Sequence, residues 1–267
     1  MRIDKSQFKN NAEYFAYVIA NKEQIISLKK AATKFTDCDS FNPIFINNIH
    51  KGITTKEDVD LDKGVIKRTI VGNTYNWMDS HMDVHIKGVF TKSIQENQKN
   101  IMHLHDHEYK VTSKVGTPIE VYEKEMLWSE LGIAKAGNTT SLLMDSDIKK
   151  AFNQMVFDEY LNKQINQHSV GMMYVKLFTC VNDAQYKEEF AAWNTYFPVV
   201  GNPDKALEEG VFWAVTEAKL KEISCVIAGS NELTPTLEPN KITPNKIEPE
   251  HSTPKPINFK NLINHLN

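Results

Sequence analysis

From His168 the chain reads HSVGMMYVKL, and residues 169–179 alternate in the manner of a half-buried strand. A strand of that kind cannot stand alone, because its backbone groups need neighbours and its apolar face needs cover. The rest of the chain therefore has to supply a sheet. VIKRTIVG (65–72) is rich in β-branched residues, and IMHLHDHEYKVTSKVGTPIEVYEK (101–124) reads as strand, polar turn, strand. LWSELGIAK, within 125–144, and the stretch 219–228 add two more. Helical spacing predicts a helix over 6–34, with Phe8, Tyr14, Phe15, Val18, Ile19, Ile25, Ile26 and Leu28 on its apolar side. A short helix is expected after Gly88. Another is expected over 145–166, capped by Asp145 or Ser146, with Ile148, Phe152, Met155, Val156, Tyr160 and Leu161 facing inward. Strands interspersed with helices make this an α+β chain.

Bulk composition narrows the function classes. With 267 residues, 41% hydrophobic and 24% charged, the chain suits one large domain with extensions. A net charge of -3 argues against a general electrostatic grip on nucleic acid. No apolar run reaches the length of a membrane span, and MRIDKSQFKNN lacks the apolar core of a signal peptide, so neither a membrane nor export is expected. Cys38, Cys180 and Cys225 are far apart and read as buried reduced thiols.

The boundaries follow composition. Residues 1–36 are an N-terminal helical segment, ended by the turn-forming TDCDSFNP. Residues 37–230 form the main domain, with an aromatic-rich insertion at 181–215. Residues 231–256 are rich in proline, threonine, glutamate and lysine and read as an extended linker, and 257–267 as a short terminal helix.

Two features carry chemistry. Ser169 opens a strand, follows a histidine, and has glycine two positions on. It is either a turn residue or a nucleophile, and a serine becomes a nucleophile only beside an oriented base. His103, His105 and His107 alternate within HLHDH, which on a strand would place all three on one face. Such a face could hold a divalent metal, could contain one catalytic base, or could be a surface without a role.

The order of four stretches resembles the prohead (capsid maturation) proteases of tailed phages, which share their fold with the herpesvirus assemblins. DSHMDVHIKGVFTKSI (79–94) is similar to that family's Asp-rich turn and Gly-small-Phe step, with Val89 where alanine is usual. IMHLHDHEYKVTSKVGTPIEV (101–121) carries a His-Asp pair followed by a Val-Gly step, with His103 and His107 as extras. HSVGMMYV (168–175) resembles the nucleophile strand, and LKEISCVIAGSNELT (220–234) the strand that follows. The likeness spans about 65–234 and leaves both ends of the chain outside it.

The resemblance implies a mostly antiparallel β-barrel surrounded by helices. It implies a serine endopeptidase with Ser169 as nucleophile, His105 as general base and Glu222 as third member, needing no cofactor and no metal. The herpesvirus enzymes use a second histidine in third place, which leaves His168, His107 and Asp106 open for that role. Asp79 and Asp83 read as turn-fixing residues, and Trp77 and Phe90 as core. The expected substrates are phage scaffold and major capsid proteins and the chain itself, cut in the host cytoplasm inside the assembling procapsid. Self-association is a further expectation. The alternative is an inactive capsid-assembly or scaffolding protein that keeps the protease fold.

Overall fold

A computed structural model describes residues 3–31 and 59–237. Two helices come first, α1 (Asn11–Ala20) and α2 (Lys22–Ala31). Then come β1 (Val59–Asp60), β2 (Val65–Thr74), β3 (Asp83–His85), α3 (Thr91–Asn97), β4 (Met102–His105), β5 (Lys114–Leu127) and β6 (Asn138–Lys149). The last part holds α4 (Gln154–Leu161), β7 (His168–Val181), α5 (Lys187–Tyr196), α6 (Pro203–Glu209), β8 (Val211–Cys225) and β9 (Thr236–Leu237). No helix among the described residues is long and apolar enough to cross a membrane.

The strands form one mixed, mostly antiparallel sheet in the order β1-β2-β6-β5-β4-β8-β3, with β7 also on β8 and β9 on β2. The protein is α+β, but hydrogen bonding does not close the sheet into a barrel. β2 comes against β7 without a ladder between them. Gly72 on β2 faces Ile223 so tightly that a Cβ there would lie 2.6 Å from the isoleucine side chain. The space between holds the main core, including Ile66, Ile70, Met144, Ile148, Tyr160, Val170 and Ile223.

β8 organises the site. Along one edge it carries two parallel strands, β3 opposite Trp213–Val215 and β4 opposite Glu222–Cys225. Along the other it carries antiparallel β7 over nearly its whole length. One strand therefore joins segments from three distant parts of the sequence.

Several elements differ from the sequence reading. The helix expected over 145–166 is divided between β6 and α4. Around Met144–Ile148 burial alternates, with Met144, Ser146 and Ile148 inside, so the period is two rather than 3.6. Helical spacing takes over only where Asn153 caps α4 by accepting from the Val156 N–H at 3.1 Å. The N-terminal helix is broken at Asn21 into α1 and α2. The last strand begins at Val211 rather than near 219, and the stretch before it is α5 and α6. Residues 231–237, expected to be linker, are folded: Leu233 and Thr234 are fully buried, and β9 pairs with Thr69–Ile70. The remaining linker, Cys38 and the helix expected at 257–267 lie outside the described residues.

The N-terminal helices pack on the main domain. Phe15 of α1 sits against Gly210, where a Cβ would approach its ring to 2.6 Å. Lys29 of α2 is buried and pairs with Asp83 Oδ1 at 2.7 Å, its ammonium lying over the Tyr174 and Trp213 rings. Removing one partner of such a buried pair leaves the other uncompensated, at a cost of roughly 3–5 kcal/mol.

Candidate active site

Register decides which side chains can meet. On β7 and β8, Ser169 stands opposite Ser224, and Gly171 opposite Glu222. Directly opposite residues share a face, with Cβ atoms about 4.5–5.5 Å apart. Ser169, Gly171, Glu222 and Ser224 thus line one face of the sheet. His168, His105 and Cys225 occupy matching positions on the other face, since both histidines stand opposite Cys225.

The three histidines of HLHDH therefore do not act as one set. His103 points inward and is fully buried, bonded through Nδ1 to Ser146 Oγ at 2.9 Å and through Nε2 to Tyr160 Oη at 3.2 Å. His105 is partly exposed, and its Nδ1 meets the Asp106 carboxylate at 3.0 Å. β4 ends there. Asp106 and His107 both adopt left-handed backbone angles, φ 52° and 56°, uncommon for residues with side chains. That turn swings His107 across to the face that carries Ser169.

There His107 is held through both its backbone and its ring. Its N–H donates to Ser224 Oγ at 3.1 Å, and its Nδ1 lies 2.6 Å from Glu222 Oε1. Ser224 Oγ in turn donates to Glu222 Oε2 at 2.5 Å. The carboxylate oxygens serve as acceptors in both contacts, so the proton of the His107–Glu222 bond sits on Nδ1. Glu222 is fully buried and His107 nearly so. Gly171 makes room for this arrangement: a Cβ at that position would lie 1.9 Å from Glu222 Oε1. The glycine two residues after Ser169 is where the glutamate crosses β7.

Ser169 itself is 5% exposed, and no hydrogen bond from its hydroxyl is found among the described residues. Tyr109, two residues past His107, stands half-exposed near the site. Partial burial and the Glu222 charge push its phenol up to about 12, so it stays protonated. A groove of about 610 Å³ lies elsewhere, between β4 and β5, lined by residues such as Met102, Lys114 and Ile119. It contains none of Ser169, His107 and Glu222.

Of the sequence candidates, Ser169 and Glu222 come to one face, and His105 does not join them. Asp106 partners His105, and His168 is engaged inside the sheet. Sequence reading missed His107 as the histidine on Glu222, because nothing local announces two consecutive left-handed residues. It also missed Ser224, although Glu-Ile-Ser on a strand places the first and third side chains on one face.

Near α2, Asp79, His81 and Asp83 bring ligand atoms within 4.8 Å of one another, a spacing that could hold a metal ion. Asp79 Oδ1 instead accepts from the backbone N–H groups of His81 and Asp83, at 2.8 and 3.0 Å, and so fixes the turn. The Asp83 carboxylate receives Lys29 and, at 2.5 Å, the Tyr174 hydroxyl. Trp77 and Phe90 are core residues.

No family model matches the chain, and no curated protein or solved structure matches it significantly.

Proposed function

We propose that the chain is a serine endopeptidase of the prohead-protease kind, with a herpesvirus-protease-like fold, that cuts scaffold and capsid proteins and itself during phage head maturation. Ser169 is the nucleophile, His107 rather than His105 is the general base, and Glu222 orients it. The observation that carries this reading is the buried His107–Glu222 pair at 2.6 Å on the face of Ser169. In the reaction His107 Nε2 takes the Ser169 proton as Oγ attacks the scissile carbonyl. Glu222 holds Nδ1–H and stabilises the imidazolium that forms. The imidazolium then gives its proton to the leaving amine, and water, activated by the same ring, releases the acyl group.

A second reading, a non-catalytic capsid-assembly component of the same fold, draws on the burial of Ser169, which is only 5% exposed. The buried His107–Glu222 pair on the face of Ser169 favours the first reading. Incubating purified wild-type and Ser169→Ala protein and mapping new termini by mass spectrometry separates the two. Cleavage in the wild type alone supports the enzyme. Cleavage in both removes Ser169 from the mechanism, and cleavage in neither supports the assembly component.

A further inference from the structure

Ser169 is the second residue of β7, where strand ends ordinarily fray. Its predecessor is anything but loose. The His168 N–H donates to Thr234 Oγ1 at 3.1 Å, and the Thr234 hydroxyl donates to the His168 carbonyl at 2.7 Å. His168 Nδ1 lies 2.9 Å from the Thr234 carbonyl. Alongside, Gln167 Nε2 donates to the Glu232 carbonyl at 3.1 Å, and the Val226 N–H donates to the Gln167 carbonyl at 3.1 Å. Gly229 lies so close that a Cβ would sit 2.6 Å from the His168 carbonyl oxygen.

The chemistry of these contacts is directional. A carbonyl only accepts, so His168 Nδ1 carries the proton, and the bare Nε2 accepts from the Tyr160 hydroxyl at 2.9 Å. The His168 ring is thus fixed from the interior. The His168 carbonyl belongs to the same rigid peptide plane as the Ser169 N–H. A hydroxyl bonded to that carbonyl therefore sets the orientation of the bond leading into Ser169.

We infer that Thr234 is a positioning residue for the nucleophile: by bonding both backbone groups of His168, it sets the angle at which Ser169 meets His107. The inference rests on Ser169 being the nucleophile. Thr234 touches neither substrate nor the reacting atoms, and acts through one peptide plane. Small misplacements of a reacting group cost on the order of 100-fold in rate.

The test is the rate at which a fluorophosphonate probe labels Ser169 in the full-length protein, read by peptide mass spectrometry across pH. Thr234→Val is expected to lower the labelling rate about 10- to 100-fold, without moving the pH midpoint, because His107 and Glu222 are untouched. Thr234→Ser, which keeps the hydroxyl, is expected to restore it. Should Thr234→Val not fold, Thr234→Ala, which removes the hydroxyl without crowding the site, takes its place, with rates compared at equal folded fraction. Thr234→Val or Thr234→Ala labelling within about twofold of wild type would overturn the inference, as would a Thr234→Ser variant as slow as they are. A wild-type protein that labels elsewhere or not at all would instead overturn the nucleophile assignment, and this inference with it.

Discussion

The two faces of the β7–β8 ladder each carry a histidine network, and they are built from different partners. On the inner face, Ser146, His103, Tyr160, His168 and the Thr234 carbonyl form a chain of hydrogen bonds. Every partner there is neutral, and burial holds His168 down to about 4 and His103 to about 3. On the outer face His107 meets a carboxylate. A hydroxyl or carbonyl fixes the direction of an imidazole, whereas a carboxylate also offers charge to the imidazolium that proton transfer creates. The inner histidines are braces. The outer one has the surroundings of a base, and one residue of strand phase separates the two environments.

The sharpest way to break this comparison is to delete the histidines one at a time. His107→Ala is expected to lower Ser169 labelling by about 10⁴-fold, the scale seen when a member of a catalytic triad is removed. His105→Ala, on the other side of the sheet, is expected to stay within about threefold of wild type, since surface changes away from a site have small effects. A reversed order would return the base to His105 and leave the Glu222–His107 pair as structure only.

A subtler change acts through Gly171. Alanine there adds one methyl group where Glu222 Oε1 already lies, 1.9 Å from the position of the new Cβ. The glutamate must swing away and release His107. Labelling is expected to fall about 100-fold in Gly171→Ala. Val170→Ala, on the inner face of the same strand, is expected to lower the melting temperature while sparing the labelling rate of the folded protein. Equal labelling in Gly171→Ala and wild type would show that Glu222 does not orient the base.

How much of this was legible beforehand follows from the physics of each element. The quoted strand was readable because alternation is a local property, and it appears as β7, His168–Val181. The 145–166 stretch misled because Ile148 fits both a period of two and a period of 3.6, and only pairing with β2 and β5 decides between them. Ser169 and Glu222 were singled out through a resemblance in the order of motifs. Their placement on one face depends on the β7–β8 register, which sequence spacing does not encode. The choice between His105 and His107 turns on Asp106 and His107 both adopting left-handed angles, uncommon in succession and not signalled by the alternation of HLHDH. Thr234, in a neighbourhood rich in proline and threonine, reads as linker. Its burial comes from bonds to residues more than sixty positions earlier.

The smallest expected effect concerns stability rather than chemistry, and it probes the inner face alone. His103 and His168 stay neutral in the folded protein down to about 3 and about 4, while in the unfolded chain they protonate near 6.5. Below pH 6.5 the unfolded state therefore binds protons that the folded state refuses. The stability tied to these two groups is fully present above pH 6.5 and is lost as pH falls toward 4, at about 1.4 kcal/mol per pH unit for each histidine. Carboxylates add their own acid sensitivity, so the useful quantity is a difference. Urea unfolding at pH 7, 6 and 5 is expected to give a slope that is shallower in His103→Leu than in wild type by about 1.4 kcal/mol per pH unit below pH 6.5. Identical slopes in wild type and His103→Leu would mean that the inner histidines accept protons in the folded state, and the contrast between a bracing face and a reactive one would lose its electrostatic basis.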